Sequence, residues 1–222
     1  MSFTNDKVTE YISSHYRALD DDLGAFREYN EANNVPLILR ETESFLSLLL
    51  ELTRPERILE IGTAYGYSAL FFARKLPGAR ITTIDRNEHM IPVAAENFAS
   101  RPEGSRIDFR TGDADVVLDQ MIEERKSGST EPFDFVFIDA GKSHYREFFD
   151  RAEQLTRPGS IIVCDNILMH GWTVDRSYVG AKRHRTNVKY MRMFIDYINE
   201  REDLTVSLLS SGDGLAVIRL ND

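Results

Sequence analysis

The 222-residue chain has 42% hydrophobic and 28% charged residues, an ordinary balance for a domain able to bury its own core. No apolar stretch reaches the length of a membrane span, and a net charge of −9 argues against a chain that coats itself with nucleic acid, because phosphate binding draws on Lys and Arg. The single cysteine, Cys164, excludes an intramolecular disulfide. With a polar opening that lacks an apolar leader core, it predicts a reduced, cytoplasmic protein.

Residues 1–54 read as helices. "VTEYISSHYRAL" places Val8, Tyr11, Ile12 and Tyr16 at helical spacing. "AFREYNEAN" continues the pattern until Pro36 breaks it, and "RETESFLSLLLEL" puts Phe45, Leu46, Leu49 and Leu50 on one side of a stronger helix.

After Pro55, short apolar runs alternate with helical stretches. The runs are "RILEIG", "RITTID", "RIDFRTGD", "FDFVFIDA" and "SIIVCDN". Alternation of this kind predicts βαβ units and a parallel sheet covered on both faces. Near the end, "NVKYMRMFIDYINE" is helical and "LTVSLLSSGDGLAVIRL" is two strands about a Gly-Asp-Gly turn, so the sheet gains an antiparallel edge hairpin. No linker divides the chain. Residues 1–222 are expected to be one domain, with 1–54 a helical cap and 55–222 the Rossmann-like core.

The runs finish near Gly62, Asp85, Asp113, Asp139 and Asp165, at the edge where open α/β sheets bind ligands. "EIGTAYG" contains no G-x-G, and Glu60 before the first glycine would repel a phosphate. Asp85 at a strand tip could hold ribose hydroxyls or cap the next helix; "GDADVV" could hold an adenine edge or start a helix. The ligand that suits these residues is nucleoside-like, cationic and free of phosphates, as S-adenosylmethionine is.

"LEIGTAYGYSAL", "TTIDRN", "GDA", "FDFVFIDAGKSHY" and "CDN" resemble the metal-dependent class I O-methyltransferases, the group of the catechol and caffeoyl-CoA enzymes. The resemblance runs from about residue 35 to the C-terminus. It implies a three-layer sandwich around a mostly parallel seven-stranded sheet, and a homodimer. It also implies cofactor contacts from Ile38, Glu60, Gly62, Ser68, Asp85, Asp113, Ala114 and Asp139. By sequence alone Ile38 is a core residue and Ser68 a helix N-terminal residue.

Asp139, Asp165 and Asn166 are hard oxygen donors on neighbouring strand ends, suited to Mg²⁺ or another divalent cation; turn formation is the plainer reading of the same residues. Lys142, three residues after Asp139, matches the general base of catechol-type enzymes, or else is a surface lysine. Cys164 reads as a small buried hydrophobe, and His170 and Trp172 as an acceptor wall or as loop packing.

"VPLILRETESFL", "DAGKSHYREFF", "AKRHRTNVKYMRMFIDYI" and "GDGLAVI" look most like the bacterial tRNA 5-hydroxyuridine methyltransferases. That likeness implies methylation of the wobble nucleoside to 5-methoxyuridine, with Lys182, Arg183, Arg185, Lys189 and Arg192 gripping the tRNA backbone. The basic run is equally a solvated helix face. The alternative acceptor is a small catechol-like or caffeoyl-type molecule.

Overall fold

The computed structural model describes residues 6–175 and 184–222. Three helices come first: α1 (Asp6–Ser14), α2 (Asp21–Ala32) and α3 (Arg40–Thr53). The alternating core follows as β1 (Arg57–Ile61), α4 (Tyr67–Lys75), β2 (Arg80–Asp85), α5 (Ile91–Ala99), β3 (Ile107–Thr111), α6 (Ala114–Lys126), β4 (Phe133–Ile138), α7 (Tyr145–Gln154) and β5 (Thr156–Asp165). It closes with α8 (Arg185–Glu200), β6 (Leu204–Leu209) and β7 (Leu215–Leu220). A short 3₁₀ turn, Pro102–Arg106, precedes β3.

The strands form one seven-stranded sheet in the order β3-β2-β1-β4-β5-β7-β6. β1 to β5 pair in parallel, and β7 runs antiparallel between β5 and β6. The expected edge hairpin is present, with a refinement. Only β7 is reversed, because the turn folds it inward onto β5 and leaves β6 at the rim.

Strand alternation feeds two separate cores, one on each face. In β4, Phe135 and Phe137 face the helices α2 to α5, while Val136 and Ile138 face α6, α7 and α8. Phe72 of α4 meets Phe137 and Phe135 edge-on, with centroids 5.7 and 6.3 Å apart. Cys164 is fully buried in β5, and burial pushes its thiol pKa up, so it acts as the small apolar residue expected.

The N-terminal helices are held by a charge that the apolar pattern does not reveal. Arg27 of α2 is 2% exposed. It pairs with Glu43 of α3, donates from Nη2 to Ile38 O at 3.0 Å, and donates from Nε to the hydroxyls of Tyr16 and Tyr67. Tyr67 in turn donates to Glu43 at 2.7 Å. One guanidinium therefore ties α2, α3, the 36–39 segment and the start of α4. In α1 only part of the expected stripe is engaged: Val8, Tyr11 and Ile12 stay exposed.

Removing one partner of a buried pair strands the other charge. Arg27→Met should lower stability by about 3–5 kcal/mol, read from the midpoint of urea unfolding, and an Arg27→Met/Glu43→Leu double variant should recover most of the loss.

Candidate active site

A cavity of about 900 Å³ opens along the carboxyl ends of β1 to β5, where strand order reverses between β1 and β4. The tips are laced together. Asp139 N donates to Ile61 O at 3.0 Å, and Gly62 N donates to Ile84 O at 3.0 Å. Gly62 has φ +108, and a Cβ there would lie 2.1 Å from the Asp139 carbonyl oxygen. Gly66 heads α4 with φ +88, and a Cβ there would strike the Phe98 ring at 2.5 Å. Gly62 answers to the neighbouring backbone and Gly66 to the Phe98 side chain, and both adopt positive φ.

Asp85 organises that turn. Its Oδ2 accepts from Thr63 N at 3.0 Å and Ala64 N at 2.8 Å, and its Oδ1 accepts from Asn87 N at 2.8 Å. It does not cap α5, whose N-cap is Met90. Asp113 stands at the N-cap of α6 without a side-chain cap bond; its carboxylate meets Arg86 at 2.8 Å on the surface. Ile38, Ser68, Asp85, Asp113, Ala114 and Asp139 all line the cavity.

Glu60 lies deeper than the other strand-end acids. It is fully buried, and the cavity lining passes from Ile61 to Gly62 and Thr63 without it. Alternation along β1 turns Glu60 away from the face that Ile61 presents. Its Oε2 accepts from Thr83 Oγ1 at 2.5 Å, Thr83 Oγ1 meets Thr63 Oγ1 at 2.6 Å, and its Oε1 has no hydrogen-bond partner. Burial pushes this carboxyl up to about 8, with Asp139 and Asp85 adding to the rise. Glu60 is linked to the turn through Thr83 and Thr63.

The ends of β4 and β5, in register at Ile138 and Cys164, bring Asp139, Asp165 and Asn166 together. Asn166 has φ +58, a conformation asparagine tolerates better than most residues. Asp139 and Asn166 line the cavity, whereas Asp165 is 1% exposed and accepts from Asn166 N at 2.6 Å. Burial raises the Asp165 carboxyl well above its usual range, and the Asp139 charge raises it further.

Lys142 is no surface lysine. Its Nζ donates to Asp139 Oδ1, Asn166 Oδ1 and Tyr145 Oη, each at 2.8 Å. Burial opposes the ammonium, but Tyr145 and Asp139 outweigh it and the net shift is upward. A base needs the opposite shift, so here Lys142 is held as a cation. Tyr145, overlooked in the sequence, is buried and donates to Asp165 O at 2.7 Å. The K-x-x-Y spacing at the start of α7 is the signal that could have found it.

Beyond this cluster, the cavity is walled by Phe148, Met169, His170, Trp172 and His184. Trp172 lies 4.4 Å from the His184 ring at 30° and 5.4 Å from His170. Asp213, from the β6–β7 turn, accepts from His170 N at 2.6 Å and fixes the loop. In the basic run, Lys182 and Arg183 lie outside the described residues. Arg185 and Lys189 are exposed on α8, while Arg192 Nε donates to Thr173 O at 2.6 Å and ties α8 to the loop after β5.

A family model described as O-methyltransferase matches residues 13–221. The chain belongs to the O-methyltransferase family. The methyltransferase is 36% identical over 175 residues to a catechol O-methyltransferase of Niastella koreensis, covering 78% of this chain and 77% of that one. It is 30% identical over 224 residues to a caffeoyl-CoA O-methyltransferase of Eucalyptus gunnii, covering 97% and 88%. Among solved structures it is similar to an O-methyltransferase from Bacillus cereus in complex with S-adenosylhomocysteine, with TM-score 0.81, 30% identity and 97% of each chain covered. It is also similar to TomG from Streptomyces achromogenes in complex with S-adenosylmethionine, with TM-score 0.80, 28% identity, and 97% and 96% covered. The protein is an S-adenosylmethionine-dependent O-methyltransferase.

The methyltransferase's residues suit a positively charged cofactor. Asp85 and Asp139 face the cavity, and the unpartnered Glu60 oxygen lies beneath the turn. They also suit a hard cation. Among the described residues no group of three or more His, Cys, Asp or Glu side chains is arranged around a metal position. Two carboxylates and an amide oxygen nevertheless converge, and an ammonium is already bound between two of them.

Glu60 makes stability pH-dependent with a definite sign. Its folded pKa, about 8, lies above its ordinary 4.5, so the folded protein holds a proton that the unfolded chain releases. The Glu60 contribution is fully present below pH 4.5 and is lost as pH rises through 8. Thermal melts from pH 5 to 8.5 should therefore show Glu60→Gln gaining steadily on the wild type; a constant difference would contradict the assignment.

Proposed function

We propose that this enzyme methylates one hydroxyl of a small aromatic vicinal diol of catechol or caffeoyl type, with a divalent cation, Mg²⁺ by preference. The observation that carries this reading is the juxtaposition of the Asp139–Asn166–Lys142 cluster with the aromatic wall of Trp172, His184 and Phe148 in one cavity. The relatives' activities, catechol and caffeoyl-CoA methylation, point the same way.

Asp85 would receive the ribose hydroxyls. Asp113, Ala114 and Ile38 would border the adenine, and Ser68 and Gly62 the amino-acid end. When bound, the sulfonium cofactor supplies an activated methyl group. Asp139, Asp165 and Asn166 would hold the cation, which when bound lowers the pKa of a coordinated hydroxyl and orients it. The aromatic wall holds the ring flat beside the polar cluster. Lys142 would serve as the base only after leaving Asp139 and Asn166 and giving one ammonium proton to solvent; the neutral Nζ then takes the hydroxyl proton. Orientation of this kind contributes up to about 7–11 kcal/mol in favourable intramolecular reactions.

We read residues 1–222 as one catalytic unit, with 1–54 covering the cofactor side. Val8, Tyr11, Ile12, Leu48 and Leu52 form an exposed apolar surface on α1 and α3 that suits pairing of two copies. The wobble-uridine reading draws on the basic run, of which Arg185 and Lys189 are exposed, but the aromatic pocket and the named relatives favour a small acceptor.

Purified enzyme given S-adenosylmethionine and Mg²⁺ should methylate caffeate-like diols, and EDTA should lower the rate about 100-fold or more. A ring bearing a single hydroxyl should be a poor acceptor. Faster turnover of hydroxyuridine-containing tRNA than of any aromatic diol would replace this acceptor with the nucleoside.

A further inference from the structure

The polar cluster contains a cation that belongs to the chain itself. Lys142 Nζ has three hydrogen-bond acceptors at 2.8 Å, and two of them, Asp139 Oδ1 and Asn166 Oδ1, are oxygens assigned above to the divalent ion. The third, Tyr145 Oη, is not a candidate ligand. Its own proton is directed to Asp165 O at 2.7 Å, which leaves a lone pair for the ammonium. The lysine side chain is 21% exposed and the Asp139 side chain 27%, so this is a partly enclosed pair with restricted solvent screening.

We propose that the Lys142 ammonium is a tethered competitor for the divalent-cation position. Cation binding and the Lys142 contacts to Asp139 and Asn166 exclude one another, and Tyr145 is the anchor that keeps the displaced lysine beside the site. The proposal rests on the cation-dependent reading above. Its physical basis is simple. An ammonium and a divalent ion in contact with the same two oxygens would lie close enough for their charges to repel strongly in this partly enclosed site, so each disfavours the other. The tethered ammonium meanwhile offsets the charge of Asp139. The cation-free protein is thereby stabilised, and loading with metal frees the lysine in the same event that places the cation.

The test uses the full-length protein and Mn²⁺ without cofactor or acceptor, with free ion followed by electron paramagnetic resonance and calorimetry. Wild-type binding that is lost in Asp139→Ala supports the cation site itself. Lys142→Met should then bind Mn²⁺ about tenfold or more tightly than wild type, the equivalent of one charge-assisted hydrogen bond no longer displaced. Mn²⁺ should also raise its thermal midpoint by more than that of wild type. Wild-type crystals soaked in Mn²⁺ should show Nζ withdrawn from Asp139 and Asn166 with the Tyr145 contact kept. They answer the question even if the variant folds poorly. Unchanged or weaker binding by a folded Lys142→Met, or a bound ion with Nζ still on Asp139, would overturn the competition while leaving the cation site intact. Absence of any Mn²⁺ binding by wild type would overturn the cation-dependent reading and this proposal with it.

Discussion

The site depends on the contact between the tips of β1 and β4. At the reversal of strand order, Gly62 passes against the Asp139 carbonyl so closely that no side chain fits between them. That contact fixes the glycine turn beside the start of the Asp139–Lys142 loop. The turn bears one side of the cavity and the loop bears the polar cluster. A larger residue at 62 would push the turn and the loop apart. Asp85 completes the arrangement, since a carboxylate accepting two backbone N–H groups holds the turn open toward the cavity.

Much of the fold was legible in the sequence, because apolar runs in a parallel sheet are long, regular and bounded by helices with clear periodicity. "FDFVFIDA" is the clearest case: its residues alternate between two cores as strand geometry requires. The placement of β7 between β5 and β6 was not legible, since a hairpin signal says which strands pair with each other but not which of them meets the rest of the sheet. Nor was the Arg27–Glu43 pair. Charged residues in a helix are normally surface, and nothing local marks the two that tertiary packing buries.

At the site, acids at strand ends were readable because the fold puts every such end on one edge. Their depth was not. Glu60 and Asp165 are both a short step from cavity-lining neighbours, yet both are buried, a depth that tertiary packing sets. Tyr145 escaped notice for a related reason. A tyrosine opening a helix looks like core, and only the three-dimensional meeting of its hydroxyl with Lys142 Nζ and Asp165 O reveals a polar duty.

Depth also governs the electrostatics. Asp85 and Asp139 face the cavity, while Glu60 and Asp165 lie just behind it, and both buried carboxyls are pushed up by burial and by the charges in front. Raised in this way, the two buried carboxyls tend to keep their protons, and the negative charge of the floor rests on Asp85 and Asp139 in front. Within the described cluster, Lys142 offsets part of it. The remainder favours ligands that carry positive charge, which a sulfonium donor and a divalent ion both do. The overall acidity of the chain, −9, is consistent with a cavity that attracts cationic ligands, and Phe148 and Trp172 give that same cavity a neutral aromatic wall.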